Sequence, residues 1–204
     1  MSFNTNPEIG QKTEHTINTY GVIVNKETSP IILNKLASMT NDEFGKTFAG
    51  RITNKNERFI ADNLAEALLD ERATVIALYR EGEVVGYSYA IPTPMFEDER
   101  KKDSDTAYIY MTIINPRHRG QRLVSSLNHS MLLALRDKGY KYVERESRMT
   151  IPEGETTSYA DKITKYYSQN PNAIIDMKPT PGYDGTGPEI SFRIDIEEAL
   201  KISP

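Results

Sequence analysis

The chain of 204 residues contains no cysteine and no tryptophan, and it has only three histidines. Without cysteine there is no disulfide framework, no thiolate nucleophile and no zinc site with cysteine ligands. The histidines, His15, His118 and His129, are too few for a typical histidine-rich metal site. We therefore expect a protein that holds no metal and uses no cysteine.

The sequence also lacks a basic excess and long apolar runs. The 25 Lys and Arg residues stand against 29 Asp and Glu residues, which gives a formal net charge of −4. Proteins that bind nucleic acid or anionic membranes usually carry a basic excess, so neither is the expected partner. Apolar runs such as residues 107–114 are too short to span a membrane, and residues 1–14 lack the apolar region of a signal peptide. We expect a cytoplasmic protein.

The residues that are present suit one globular domain. Hydrophobic residues make up 38% of the chain and charged residues 26%, which is typical of soluble globular proteins. A compact chain of this length buries about 70% of its extended surface, enough for a core without disulfides. No repeat or linker divides the chain, so we predict a lead-in over residues 1–17 and a single domain over residues 18–204.

Apolar periodicity and turn signals predict strands and helices in the order β-α-α-β-β-β-α-β-α-β-β. The predicted strands are residues 20–25, 74–79, 84–91, 107–114, 140–146, 173–177 and 189–194. The predicted helices are residues 30–39, 56–70, 121–138 and 156–168, and residues 96–105 are expected to form a charged, solvated hairpin tip. This order predicts an α+β fold with a mixed sheet, in which the uniformly apolar strand 107–114 lies centrally.

The strongest functional signal lies where this strand runs through a short turn into the long helix. The turn contains Arg117, Arg119, Gly120 and Arg122. The first amides of a helix have no intrahelical partner and the helix dipole adds positive charge there, so such a turn favours anions. Gly120 lets a phosphate approach the backbone, and the arginines are charge-assisted donors. The pattern predicts a site for a diphosphate-bearing ligand, with an ordinary arginine-rich surface turn as the alternative.

Two common phosphate motifs do not fit this turn. It has no Gly-Lys-Ser/Thr, which excludes a P-loop, and a single glycine does not make a dinucleotide-binding turn. The segment Ile-Asn-Pro-Arg-His-Arg-Gly-Gln-Arg-Leu-Val, residues 114–124, instead resembles motif A of the GNAT acetyltransferase superfamily. The match is Arg117-x-x-Gly120-x-Arg122, and Arg122 stands where the family has a second small residue. The order of elements follows that of the family over about residues 18–195.

The resemblance implies a GNAT fold, a mixed and mostly antiparallel sheet flanked by helices. It also implies direct transfer of an acetyl group from acetyl-CoA to a primary amine, with no metal. Backbone amides of the motif would hold the pyrophosphate, and pantetheine would enter like an added strand where strand 107–114 splays from the next. The residues implied in binding acetyl-CoA are Ile113, Ile114, Arg117, Arg119, Gly120, Gln121, Arg122 and Leu123.

Direct transfer needs a base for the ammonium and an acid for the departing thiolate. Strand 107–114 has no carboxylate. Tyr108, Tyr110 and Thr112 are expected on one of its faces, and the two tyrosines are candidates for binding the acceptor substrate. Glu144 and Glu146 share a face of the next strand and are the candidate bases, with plain solvated strand residues as the alternative.

The resemblance implies that the acid is a tyrosine in the helix predicted over residues 156–168. Tyr166 fits the buried apolar position of the family pattern and Tyr167 the acid, although a slip of one residue would exchange them. An unperturbed tyrosine has a pKa of about 10 and is protonated at neutral pH, and packing is the alternative role for both. In the loop 179–188, Tyr183 and Asp184 are candidates for recognising the acceptor amine, unless the loop is a plain surface turn stiffened by proline.

Two other classes of function stay open beside the enzyme. The missing strand carboxylate and Arg122 favour a GNAT-fold module that binds CoA without catalysis. The charged segment at residues 96–105 would suit a protein-interaction role. An acidic chain is compatible with a cationic acceptor such as a polyamine, an aminoglycoside or a protein lysine. A homodimer is a further possibility, because dimers are common in such folds.

Overall fold

The structure is a computed structural model that describes residues 18–25, 27–44, 73–92, 104–152, 154–181 and 187–203. The helix predicted over residues 56–70 lies outside these ranges, as does most of the hairpin tip predicted over residues 96–105. Tyr183 and Asp184, the loop candidates for acceptor recognition, also lie outside the described residues.

The described ranges form seven strands, four α-helices and a 3-10 helix of three residues over Pro116–His118. The strands are β1 (Thr19–Val24), β2 (Thr74–Arg80), β3 (Glu83–Pro92), β4 (Thr106–Ile114), β5 (Tyr142–Arg148), β6 (Ile174–Thr180) and β7 (Glu189–Asp195). The helices are α1 (Pro30–Phe44), α2 (Leu123–Asp137), α3 (Tyr159–Tyr167) and α4 (Ile196–Leu200). The short helix α4 is not among the predicted elements, because five residues are too few to show a periodicity. The Asp195 side chain caps α4 by accepting a hydrogen bond of 2.9 Å from the Glu198 amide.

The strands form one sheet in the order β1-β2-β3-β4-β5-β7-β6. Neighbouring strands are antiparallel except β4 and β5, which run parallel. The predicted mixed sheet is therefore confirmed, with the apolar strand at its centre. Glu81 and Gly82 join β2 to β3 with φ values of 52° and 81°. A two-residue hairpin turn needs positive φ at both positions to match the twist of the sheet.

Each face of the sheet has its own core. On one face, α2, α3 and α4 contribute side chains such as Leu127, Tyr167 and Ile196 to the larger cluster. On the other face, Leu36 and Met39 of α1 pack against the sheet. Within the described ranges, none of the helices has the length and apolar character needed to cross a membrane.

A bulge in β4 decides which side chains reach each face. The pairing with β3 skips Tyr110, so this residue is the extra one. Ile109 and Ile114 consequently both join the core beneath α2, although side chains five residues apart in an uninterrupted strand point to opposite faces. Thr112, two residues from Ile114, lies on that same face. The expectation that Thr112 shares a face with Tyr108 and Tyr110 is therefore wrong.

Candidate active site

A wedge-shaped gap opens between the two parallel strands at the centre of the sheet. β4 and β5 pair at only three positions, of which the last joins Tyr108 to Glu144. Beyond this point β4 stays with β3 as far as Ile114, whereas β5 follows β7 as far as Arg148. The edges that face each other across the gap have no strand partner among the described residues. An extended ligand could therefore enter the gap as an added strand.

The backbone of Ile113 and Ile114 borders this gap. Their pairing with Tyr87 and Gly86 of β3 uses one edge of β4 and leaves the other edge toward the gap. Both side chains are buried, in the cores on opposite faces of the sheet. Alternate residues of a strand direct their backbone groups to opposite edges, and the Asn115 amide donates to Val85 of β3. The backbone groups of Ile113 therefore point toward β3 and those of Ile114 toward the gap, where the Ile114 carbonyl accepts a hydrogen bond from Arg119 Nε.

The predicted anion turn lies at the open end of the gap, immediately before α2. Gly120 and Arg122 have φ values of 77° and 59°, and Arg122 is the N-cap of α2 without a side-chain cap bond. None of the amide N–H groups from Gly120 to Val124 has an acceptor among the described residues. A β-carbon on Gly120 would meet nothing within 4 Å, so the space outside the turn is open. This backbone can receive an anionic group at a helix N-terminus.

The three arginines of the turn have different surroundings. Arg119 donates through Nε to the Ile114 carbonyl over 3.2 Å and forms an ion pair with Glu43 of α1. Its amide donates to the Pro116 carbonyl over 3.3 Å. Arg119 thus holds the turn together, and its role as a donor to the ligand stays a prediction. Arg117 and Arg122 are exposed at the surface of the turn.

A shallow depression of about 330 Å³ lies between the anion turn and the β2–β3 hairpin. His118 and Gln121 line it from the turn, and Arg80, Glu81 and Glu83 line it from the hairpin. Glu83 accepts a hydrogen bond of 2.9 Å from Lys35, which holds the pKa of this carboxyl below its ordinary value. The depression carries charges of both signs, so it adds no selectivity for an anion.

The helix-covered face of the gap contains two adjacent tyrosines at the end of α3. Tyr167 is completely buried and Tyr166 is half-buried, with 4.9 Å between the ring centroids. The expected order of burial is therefore reversed, because Tyr167 and not Tyr166 takes the inner position. Neither hydroxyl makes a hydrogen bond of ordinary geometry to a described residue. Burial raises the pKa of Tyr167 to about 12, against the attraction of the nearby Arg145 guanidinium.

The opposite face of the gap carries the two candidate bases. Glu144 and Glu146 lie on the same face of β5, but they have different partners. Glu144 forms an ion pair of 3.0 Å with Arg193 of β7, whereas Glu146 accepts a hydrogen bond of 3.2 Å from the Tyr108 hydroxyl. Burial, followed by the negative charge of Glu146, raises the pKa of Tyr108 above its ordinary value. The ring of Tyr110 lies 6.5 Å from that of Tyr108 and is exposed.

Arg145 is a residue of the site that sequence reasoning missed. It is buried between Glu144 and Glu146 in the chain, at a position of β5 that faces the helices. The alternation of Val143, Arg145 and Ser147 along a strand would have revealed a buried charge. The pattern is weak because five of the seven β5 residues are polar or charged.

Residues 36–149 match the model of the acetyltransferase (GNAT) family. The match covers more than half of the 204 residues, and the chain belongs to the GNAT acetyltransferase family. No curated protein sequence matches the chain.

Solved acetyltransferase structures share the fold at low sequence identity. An N-acetyltransferase from Staphylococcus aureus Mu50 is 15% identical with a TM-score of 0.61, over 88% of this chain and 99% of the other. An aminoglycoside acetyltransferase in complex with coenzyme A is 15% identical with a TM-score of 0.61, over 90% and 98%. A ribosomal-protein-alanine N-acetyltransferase from Brucella melitensis is 17% identical with a TM-score of 0.56, over 85% and 99%.

Proposed function

We propose that this protein transfers an acetyl group directly from acetyl-CoA to a primary amine. The observation that carries the proposal is the combination of a strand gap and an anion turn at its open end. Unpaired strand edges suit the amide groups of pantetheine, and the free amides from Gly120 to Val124 suit a pyrophosphate. The coenzyme A complex of a structural neighbour is consistent with this ligand.

The two faces of the gap suit opposite proton-transfer roles. Glu146 is the better candidate for the base, because it lies beyond the last β4–β5 pair, whereas Glu144 belongs to that pair and is bound to Arg193. Tyr167 is the candidate acid, since a tyrosine with a pKa of about 12 keeps its proton at neutral pH. Tyr108 and Tyr110 would border the acceptor amine on the face of Glu146. The acceptor and the acid would thus approach the thioester from different sides.

The acceptor itself is proposed only as an amine. Structural neighbours include aminoglycoside acetyltransferases and a ribosomal-protein-alanine N-acetyltransferase, whose names give different acceptors. The second candidate function is a module that binds CoA without catalysis. It is favoured by Arg122, a bulky residue at a left-handed position beside the proposed pyrophosphate site.

Calorimetric titration with acetyl-CoA and with CoA tests the ligand, using Gly120→Val as the perturbation. Gly139→Val is a matched control, because Gly139 follows the far end of α2 with a φ of 90°, and a β-carbon added there would meet no atom within 4 Å. Each substitution places a side chain in a left-handed conformation, which lowers the free energy of unfolding by roughly 1–2 kcal/mol. We expect saturable one-to-one binding by the wild type and by Gly139→Val, and at least about a tenfold loss in Gly120→Val.

Equal affinity of the two glycine variants would contradict the assignment of the anion turn. Release of CoA thiol in the presence of a panel of amines then separates the two candidate functions. A rate above the amine-free background identifies an acetyltransferase, whereas tight binding without thiol release identifies the binding module.

A further inference from the structure

A buried arginine lies at the closed end of the gap between β4 and β5. Arg145 is the first β5 residue beyond the last β4–β5 pair, and it is only 9% exposed. Its Nη1 donates to Asn128 Oδ1 of α2 over a long distance of 3.4 Å, and its Nε has no partner among the described residues. Arg193 and Arg136, by contrast, each form an ion pair with a carboxylate.

The described residues around Arg145 do not compensate its charge. Desolvation lowers the pKa of its guanidinium, and the hydroxyls of Tyr167 and Tyr108 oppose this only in part. A buried charge without an ionised partner is unfavourable, and an apolar side chain of similar volume usually serves packing as well or better. The position of Arg145 therefore points to an anion that the described part of the chain does not supply.

The side chains that lie together at the closed end of the gap indicate the identity of that anion. The guanidinium lies near the buried Tyr167 hydroxyl, which also lacks a hydrogen bond of ordinary geometry to the residues that the structure describes. Two unsatisfied polar groups, a cation and a proton donor, thus occupy the helix-covered side of the gap where the strands separate. A sulfur atom that gains negative charge there would satisfy both.

We propose that Arg145 stabilises the negative charge on the leaving sulfur of acetyl-CoA; this inference rests on the proposed function. The amine nitrogen uses its lone pair to bond the acetyl carbon, and the carbon–sulfur bond breaks with its electron pair passing to sulfur. Sulfur takes the Tyr167 proton, the proton lost by the amine leaves through Glu146, and Tyr167 regains a proton from solvent. The Arg145 guanidinium lies beside the negative charge, whether that charge is on the sulfur or on the Tyr167 oxygen.

The test measures the thiol of bound CoA and needs no turnover. The ultraviolet absorbance of the thiolate is titrated against pH in the CoA complexes of the wild type, Arg145→Lys, Arg145→Gln and Arg145→Met. An opposite charge within about 4–6 Å lowers the pKa of an acidic group by about 1–3 units. We expect Arg145→Gln and Arg145→Met to raise the thiol pKa by at least about one unit relative to the wild type, and Arg145→Lys to retain most of the effect.

Arg136→Gln is the control for loss of one positive charge, because Arg136 lies on the exposed surface of α2 beside Asp137. It should leave the thiol pKa unchanged. Thermal unfolding supplies a second readout: a structural role for Arg145 predicts a lower Tm in Arg145→Met, whereas our proposal predicts an equal or higher one.

Each result decides between the two proposals. An unchanged thiol pKa in Arg145→Gln and Arg145→Met, with CoA bound, overturns the role of Arg145 and leaves the proposed function standing. Failure of the wild type to bind CoA overturns both. A shifted thiol pKa in a protein that acetylates no amine supports the role of Arg145 while refuting only the enzymatic part of the proposed function.

Discussion

Replacing Tyr167 by phenylalanine should lower the rate of acetyl transfer without lowering the stability of the protein. The Tyr167 ring is completely buried and contributes to the larger core, while its hydroxyl has no hydrogen bond of ordinary geometry within the described ranges. An unsatisfied buried hydroxyl costs roughly 1–3 kcal/mol in desolvation. Phenylalanine removes this cost and keeps the ring, but it also removes the attraction between the hydroxyl and Arg145.

We therefore expect the free energy of unfolding of Tyr167→Phe to be unchanged or higher by up to about 1 kcal/mol. For a chain of this size, 1 kcal/mol corresponds to a rise in Tm of about 2–4 °C. The rate of acetyl transfer should fall by about 100-fold or more, because a general acid contributes about 10²–10⁴ to the rate. Affinity for acetyl-CoA should change little.

The assay combines urea unfolding with release of CoA thiol in the presence of an accepted amine. Tyr166→Phe is the matched control, since Tyr166 is adjacent in α3 and its buried hydroxyl also lacks a hydrogen-bond partner among the described residues. It should keep its turnover. Full turnover in Tyr167→Phe would refute the assignment of the acid, and loss of turnover in Tyr166→Phe alone would show that the two tyrosines exchange roles.

Two further outcomes follow from the site and the sheet. Glu146→Gln should lower turnover by about 10²–10⁴-fold. Glu144→Gln should lower turnover less, because Glu144 is paired with Arg193. Equal effects of the two substitutions in steady-state assays would contradict our choice of base. Gly86→Ala should lower the free energy of unfolding measured in urea by about 1–3 kcal/mol, because its β-carbon would lie 2.7 Å from a β4 carbonyl oxygen. Wild-type stability of this variant would mean that β3 and β4 can move apart.

The order of elements and the central place of β4 could be predicted from the sequence because they depend on local patterns. A uniformly apolar stretch is typical of a strand covered on both faces, and this predicted the centre of the sheet. The helix predicted to end at residue 138 is followed by Gly139 with a φ of 90°, as a helix C-terminus favours. The anion turn was likewise visible as a strand, an arginine-rich segment with one glycine, and a helix.

The bulge at Tyr110 could not be predicted in this way, because it arises from pairing between β4 and β3. A register shift in one strand changes every later side-chain direction, which is why Thr112 lies on the face opposite to the one expected. The inner position of Tyr167 depends in the same way on how α3 packs against the sheet. The partners of Arg119 also come from distant elements, since Glu43 lies 76 residues away in the chain.

The sequence by itself determined the class of fold and the chemical character of the anion turn, because composition, periodicity and local turns act over a few residues. Tertiary structure alone decided how the pieces combine at the active site. It opened β4 from β5 after Tyr108, paired Glu144 with Arg193, and buried Arg145 beside Tyr167. These contacts join residues that are far apart in the chain, and packing of the sheet against its helices sets their distances.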